Sequence, residues 1–442
     1  MYNTVLDAFD KIKMLRNDEE ENQKETILLN EIEKNHEIVV SLFEEGLVDD
    51  ITPTINTRIK PKYHELKAHL MKIKDLLAIG VNPAKNFFQE FENAQLMNTF
   101  DGKIAHEVRT YWKKYLDVDV DPSLHLAFYN LTGRVEPRLV TQLFLNTEIL
   151  PVLNKLIFGG FYSDKNVYDI LIDAKSRPKT FLKRVNGQYF DEKNFELSRT
   201  QAYQQLAMVK RDMIIKQSLS DDGKSVEKLR YKNRGLYYKD KKMDLIEIGK
   251  EYGSDFLIQD VIKQHPMMAA PHKYSVNTFR MVTLRWNNDI QYLMTYARFG
   301  SNKEVKDNGG EGGIVIAVSP EGKFSNFGME HNGTIHHSHP TTGYKFSDFP
   351  QVPNFDEFIE FVKTYHRRII HHNYVSWDIA MGEDGKPIFI EMNFKGPVWK
   401  YQLVTERAIF GEFTEEILAK VLIEKKKKDK IPKKLDKGSQ KT

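Results

Sequence analysis

The chain of 442 residues contains no cysteine, which removes disulfides, thiolate metal sites and a cysteine nucleophile together. Any chemistry therefore rests on oxygen and nitrogen groups. No apolar run reaches the roughly 18 residues that a membrane span needs, and the N-terminus turns charged within MYNTVLDAFDKIKMLRNDEEEN, too early for a secretory signal. A cytoplasmic protein without a transmembrane segment is expected. There is no GxxxxGK[ST] phosphate loop, and the stretch holding His331, His336, His337 and His339 lacks HExxH spacing, which points away from zinc. Charge of one sign is also scarce, with 65 Lys and Arg against 62 Asp and Glu, for a net charge of +3. Nine Lys and two Asp in residues 425–442 contribute +7, which leaves 3 − 7 = −4 for the rest. A mildly acidic body gives no reason to expect a nucleic-acid partner. A tail so rich in Lys buries too little to order itself, and 425–442 is expected to be disordered. It serves either as a solubilising segment or as a weak contact for an anionic surface.

Residues 1–119 read as an α-helical N-terminal region: ETILLNEIEKNHEIVVSLFEEGL and KYHELKAHLMKIKDLLAIG repeat their apolar residues at helical spacing. Residues 120–205 read as a small α/β region, with turns at Leu131-Thr132-Gly133 and at Asn186-Gly187, the latter joining FLKRV to QYF as a hairpin. From 206 to 424, β-rich runs alternate with turns and with helical stretches such as FDEFIEFVKTYHRRII, which argues for an α+β catalytic region.

The stretch Val375 to Asn393, VSWDIAMGEDGKPIFIEMN, has two β-rich arms around the turn Gly382-Glu383-Asp384-Gly385. Closing that loop with Met381 opposite Lys386 sets Asp378 opposite Phe389, and alternation then places Asp378, Glu391 and Asn393 on one face. Three oxygen-bearing side chains there suit Mg²⁺. By spacing alone a solvated surface hairpin fits equally well. Upstream, a strand ends at Lys216 and leads into the loop LSDDGKSV with Gly223 and Ser225, a plausible cover for phosphates. The apolar strand around Phe256 to Ile262 turns polar at Gln259-Asp260, and its backbone suits an adenine edge. Arg280 and Arg298 sit on strands from which a planar fork can meet phosphate or carboxylate, and the glycines of DNGGEGG let backbone approach a ligand.

In order, the strand Lys, the hinge strand, SVNTFRMVTL, RFG with DNGGEGG, HPTTGYKF and the D…ExN hairpin resemble the ATP-grasp superfamily, and within it the sugar-transfer-associated branch, over about residues 120–420. The resemblance implies two α+β subdomains, 206–265 and 266–424, gripping ATP behind the helical N-terminal region. It implies that Lys216 and Lys165 contact ATP phosphates, with Ser225 in the covering loop, while Gln259, Asp260, Val261 and Ile262 hold adenine. Asp378, Glu391 and Asn393 would hold Mg²⁺, and Arg280 and Arg298 would face the γ-phosphate or an acyl phosphate. Gln259 departs from the hinge glutamate common in that superfamily. The implied activity is ATP-dependent ligation of a carboxylate-bearing small molecule or sugar to an amine or amino acid, in surface polysaccharide biosynthesis. A phosphotransferase on the same scaffold and a non-catalytic docking module are the competing expectations.

Overall fold

A computed structural model describes residues 72, 75–82, 87–219, 226–301 and 313–429, and the chain divides into two compact units, Met1–Lys85 and Asn86–Thr442. The first unit is described only at 72 and 75–82, where 75–78 are helical. In the second unit Phe88–Asn93 and Gly102–Leu116 are helices. The latter is capped by the Asp101 carboxylate, which accepts from Lys103 N, and it buries Ile104, Val108, Trp112 and Leu116 at every fourth position.

Two antiparallel sheets follow. The first contains β1 (Thr180–Val185), β2 (Gln188–Phe190), β3 (Glu196–Leu197), β4 (Met213–Gln217), β5 (Glu227–Lys232), β6 (Gly235–Tyr238), β7 (Lys241–Lys242) and β8 (Phe256–Asp260), in the order β3-β2-β1-β8-β4-β5-β6-β7. Asn186 and Gly187 form the expected two-residue turn between β1 and β2, both at positive φ, which a primed turn requires. Helices Arg199–Ala207 and Leu245–Tyr252 supply Ala202, Leu206, Leu245, Ile248 and Tyr252 to this sheet's core.

The second sheet contains β9 (Thr278–Trp286), β10 (Asp289–Phe299), β11 (Ile314–Val318), β12 (Phe324–Met329), β13 (Ile335–His336), β14 (Tyr374–Met381) and β15 (Pro387–Asn393), in the order β13-β12-β11-β10-β9-β14-β15. One face is apolar: Phe279, Met281, Trp377, Ile379, Phe389 and Met392 join Phe358, Val362 and Tyr365 of the helix Phe355–His366. The other face carries the site.

Two expectations change here. The β14–β15 register puts Met381 opposite Pro387 and Ile379 opposite Phe389, so Asp378 faces Glu391 and not Phe389. One residue of that shift arises at the turn, where Met381 faces Pro387 and not Lys386, and the second comes from a β-bulge at Ile390, which sets two residues of β15 against one of β14. The tail expected to be disordered from 425 is helical to Asp429, because the helix Thr414–Asp429 anchors Ile417, Leu418 and Val421 in the core and Lys427 pairs with Glu424. Residues 430–442 lie outside the described residues. Among the described residues no helix is long and apolar enough to cross a membrane.

A buried polar chain ties the helix Phe355–His366 to the sheet. Trp377 Nε1 donates to Thr283 Oγ1 (2.7 Å), Thr283 Oγ1 meets His366 Nδ1 (2.7 Å), and His366 Nε2 meets the His372 carbonyl (3.0 Å). A carbonyl only accepts, so His366 carries a proton on Nε2, and with burial keeping the imidazole neutral its Nδ1 accepts from the Thr283 hydroxyl. Burial pushes His366 down to about 3 and His125 down to about 4. Unfolded, both return to about 6.5. Between pH 6.5 and 4 the unfolded chain thus binds more protons, and stability is full above that window and falls as pH drops through it. Urea unfolding should show a loss of about 2 kcal/mol per histidine on moving from pH 7.5 to pH 5; a flat profile over that range would refute the neutral assignment.

Candidate active site

The bulge determines the site. Phe389 lies on the core face, and uninterrupted alternation would carry Glu391 and Asn393 there too. One extra residue resets the parity, so Glu391 and Asn393 join Asp378 on the opposite face, paired across from Asp378 and Ser376 respectively.

Asp378 is 2% exposed, and Arg280 stands directly across from it on β9. The Arg280 guanidinium donates to both carboxylate oxygens at 2.5 Å, and Arg298, reaching over from β10, adds a third bond of 2.9 Å to Oδ2. Asn393 Nδ2 lies 3.5 Å from the same oxygen. Arg280 Nη1 also donates to the Tyr401 hydroxyl (3.3 Å). Gly396 leaves room for that hydroxyl, since a Cβ there would stand 2.4 Å from it. Burial favours a protonated Asp378, but Arg280 and then Arg298 outweigh it and hold the carboxyl below its ordinary range. At Glu391 burial wins: despite Lys165, and with Asp378 adding to it, the carboxyl is pushed up.

The first sheet contributes cations. Lys216 on β4 is buried, and burial, reinforced by Lys165 and opposed by Glu391, pushes its ammonium down to about 8. Lys165 opens a short 3-10 turn capped by Asp164, its backbone N–H donates to Ser218 O (3.0 Å) at the end of β4, and its ammonium lies 3.5 Å from Glu391 Oε2. The structure therefore brings Lys165, Lys216, Arg280, Arg298, Asp378, Glu391 and Asn393 together, four cations against two anions. Lys183 on β1 is committed elsewhere, to Asp169 and Asn194.

The hinge residues lie apart. Gln259 is buried between β1 and β4, and its amide donates to Thr180 Oγ1 (3.1 Å). Asp260 is gripped by Arg211 (2.7 and 3.0 Å) and accepts from Val261 N (3.1 Å). Asp260, Val261 and Ile262 line a pocket of about 510 Å³ with Arg177, Lys179 and the Gly382–Asp384 turn. Ser225 lies outside the described residues, as does the loop 302–312 with most of DNGGEGG. Three histidines of the 331–339 stretch meet protein oxygens: His336 meets Glu330 (3.1 Å), His337 the Asn326 carbonyl (3.0 Å) and His339 the Gly300 carbonyl (2.8 Å).

Sequence reasoning missed Lys400 and Tyr401. Both sit on the helix Val398–Val404 and, with Arg280, Arg298 and Asn393, line a cavity of about 760 Å³. The signal available was the GPVWKY run directly after the hairpin, where the chain turns back over its own site.

A profile of the family described as sugar-transfer associated ATP-grasp matches residues 198–417. This segment belongs to that family. Over this segment the fold is the α+β ATP-grasp fold. No curated protein matches the chain. Among solved structures it is similar to the D-alanine–D-alanine ligase of Bacillus anthracis, with 12% identity, 66% of this chain and 78% of that chain covered, and a TM-score of 0.34. It is also similar to an L-amino acid ligase of Bacillus licheniformis, with 12% identity, 59% and 48% covered and a TM-score of 0.33, so the alignment spans about half of that protein. A third is the ATP-grasp ligase PsnB complexed with minimal precursor, Mg and ADP, with 12% identity, 61% and 62% covered and a TM-score of 0.34.

The donor set of this site fits Mg²⁺. Asp378 and Glu391 face one another directly, an arrangement of like charges that a proton on Glu391 or a divalent cation relieves. The amide oxygen of Asn393 completes a hard, all-oxygen set that leaves room for phosphate oxygens. The cations differ in kind. Arg280 neutralises a buried carboxylate, so Arg280→Met should cost about 3 kcal/mol in urea unfolding. Lys216 has no carboxylate at ion-pair distance among the described residues, so Lys216→Met should unfold within about 1 kcal/mol of wild type while losing affinity for Mg-ATP. Equal destabilisation by the two substitutions would refute this division.

Proposed function

We propose that the chain is an ATP-dependent carboxylate–amine ligase working through an acyl phosphate, and that it joins an amine or amino acid to a sugar carboxylate in surface polysaccharide assembly. The observation that carries this reading is the meeting of two lysines with the Asp378–Glu391–Asn393 face beside a cavity that, among the described residues, has no acidic residue in its lining. The site's excess of positive charge complements the net negative charge that a magnesium–nucleotide complex retains.

In this reading Lys165 and Lys216 hold phosphate oxygens, and Asp260, Val261 and Ile262 border the adenine. Asp378, Glu391 and Asn393 would hold Mg²⁺, which when bound neutralises charge on the β- and γ-phosphates. Arg298, reaching the cavity from β10, orients the substrate carboxylate in line with the γ-phosphorus. A carboxylate oxygen attacks phosphorus, the bond to the bridging oxygen breaks, and ADP departs. The nitrogen of the amine then attacks the acyl carbon, phosphate leaves with the electron pair of the broken C–O bond, and the nitrogen loses a proton to water. Arg280 and Arg298 stabilise the charge carried by the transferring group without reorganising, because Asp378 already fixes them. The walls provided by Leu156, Leu219 and Phe394 keep water from the acyl phosphate. ATP supply places this activity in the cytoplasm.

Such a ligase, given Mg-ATP, a uronic acid and an amine pool, should release ADP and phosphate only when acid and amine are both present. AMP release, or ADP with a stable phosphorylated product, would overturn the reading in favour of another acyl-activating or phosphotransfer activity. Absence of nucleotide binding would favour a docking role. Glu391→Ala should abolish turnover and leave the unfolding transition intact; normal magnesium-dependent activity in that variant would sink the metal assignment.

A further inference from the structure

The cavity of about 760 Å³ continues beyond the reacting centre, and the ligase reading leaves one of its groups unused. Lys400 is only 2% exposed and its chain lines the cavity wall. Among the described residues no carboxylate lies within ion-pair distance of its ammonium, and the Trp399 ring lies 5.9 Å from it. The closest charges in influence are Arg298 and Arg280, which repel it, while Glu330 and Glu90 act more weakly. Burial, reinforced by those two arginines, pushes the Lys400 amine down to about 8. A buried ammonium beside two guanidinium groups is costly in the empty protein.

The surrounding lining explains what would relieve that cost. Among the described residues the cavity is bordered by Arg280, Arg298, Lys395 and Lys400, with His331 near Lys400, and by no Asp or Glu. Arg280 and Arg298 share a single negative charge, that of Asp378. One substrate carboxylate balances this pair, and Lys400 then still faces a cavity with no counter-charge among the described residues. The volume exceeds the needs of a small monocarboxylic acid.

We propose that Lys400 binds a second oxyanion on the acid substrate, a phosphate or a further carboxylate, so that this cavity selects polyanionic acids over simple ones. This inference rests on the ligase reading for the identity of the first carboxylate, but the pocket can be tested by itself. The reacting carboxylate sits against Arg298, and the second anion lies along the wall formed by the helix Val398–Val404. A sugar acid carrying phosphate meets both requirements, whereas a free uronic acid meets one.

The test is calorimetric titration of the full chain, saturated with Mg²⁺ and a non-hydrolysable ATP analogue so that the γ-phosphoryl position is filled. Acetate, malonate and phosphonoacetate are the probes, with one carboxylate, two carboxylates, and a carboxylate plus a phosphonate. A charge-assisted hydrogen bond predicts that malonate or phosphonoacetate binds at least about tenfold more tightly than acetate. The better of the two identifies the second anion. Lys400→Met should reduce both to the acetate level, and Lys400→Arg should retain the preference. The thermal midpoint of Lys400→Met should equal or exceed that of wild type, since a buried uncompensated charge is removed. Equal binding of all three probes, or a preference that survives in Lys400→Met, would overturn the proposal, as would a lowered midpoint, which would mark Lys400 as structural. If the nucleotide analogue fails to bind, the ligase reading fails, and the same titrations without nucleotide still decide the role of Lys400.

Discussion

Everything at the site hangs on the Asp378 carboxylate in the grip of two arginines. The pairing joins three neighbouring strands of one sheet, with Asp378 on β14, Arg280 across from it on β9 and Arg298 on β10. Its members have to be satisfied together, because a buried charge that loses its partner costs more than the pair contributes. The pairing fixes the orientation of both guanidinium groups before any ligand arrives, which is the condition for charge stabilisation without reorganisation. It also sets a limit: with both oxygens of Asp378 accepting from arginine, Glu391 is the carboxylate better placed to respond to a cation, and burial and Asp378 together already push it toward its protonated form.

The strand content and the oxygen-bearing residues of this site were legible in the sequence, and the register was not. Alternation over VSWDIAM and PIFIEMN identifies two strands, and GEDG identifies their turn. Counting outward from that turn sets Asp378 against Phe389, the right face reached by the wrong pairing. The bulge at Ile390 places an aromatic opposite Ile379 in the core and still returns Glu391 to the site. Nothing in the local composition announces such a bulge, since Ile390 is as good a strand residue as its neighbours. The type I′ hairpin at Asn186-Gly187 is the opposite case: the dipeptide itself selects the backbone, and the register follows.

Other parts were illegible for a different reason. Lys400 reads in sequence as an ordinary surface residue of a short helix, because lysine is seldom buried; only the three-dimensional path of GPVWKYQLV turns it inward. Gln259 and Asp260 have the composition of a hinge, yet Gln259 bonds to Thr180 and Asp260 to Arg211, partners 79 and 49 residues away in the chain. Such long-range pairings depend on which strands become neighbours, and β8 lies between β1 and β4 through a sheet order that no local pattern encodes.

The sorting of cations that results separates stability from function. Arg280, Arg211 and Lys183 each have a carboxylate partner and hold elements together. Lys216 and Lys400 are buried, lie beside other cations and have no such partner among the described residues. Local consistency fails at these two positions, and a protein retains a failure of that kind where binding gives something back. The two lysines flank the Asp378–Glu391–Asn393 face from different sides, Lys216 from the first sheet and Lys400 from the helix that follows the hairpin. In the ligase reading a nucleotide would satisfy Lys216 and leave Lys400 without a counter-charge, and on the proposal made for Lys400 a second anionic ligand would complete the electrostatics of the site. Such a dependence would favour occupancy by both ligands together, because each would remove part of the repulsion the other meets.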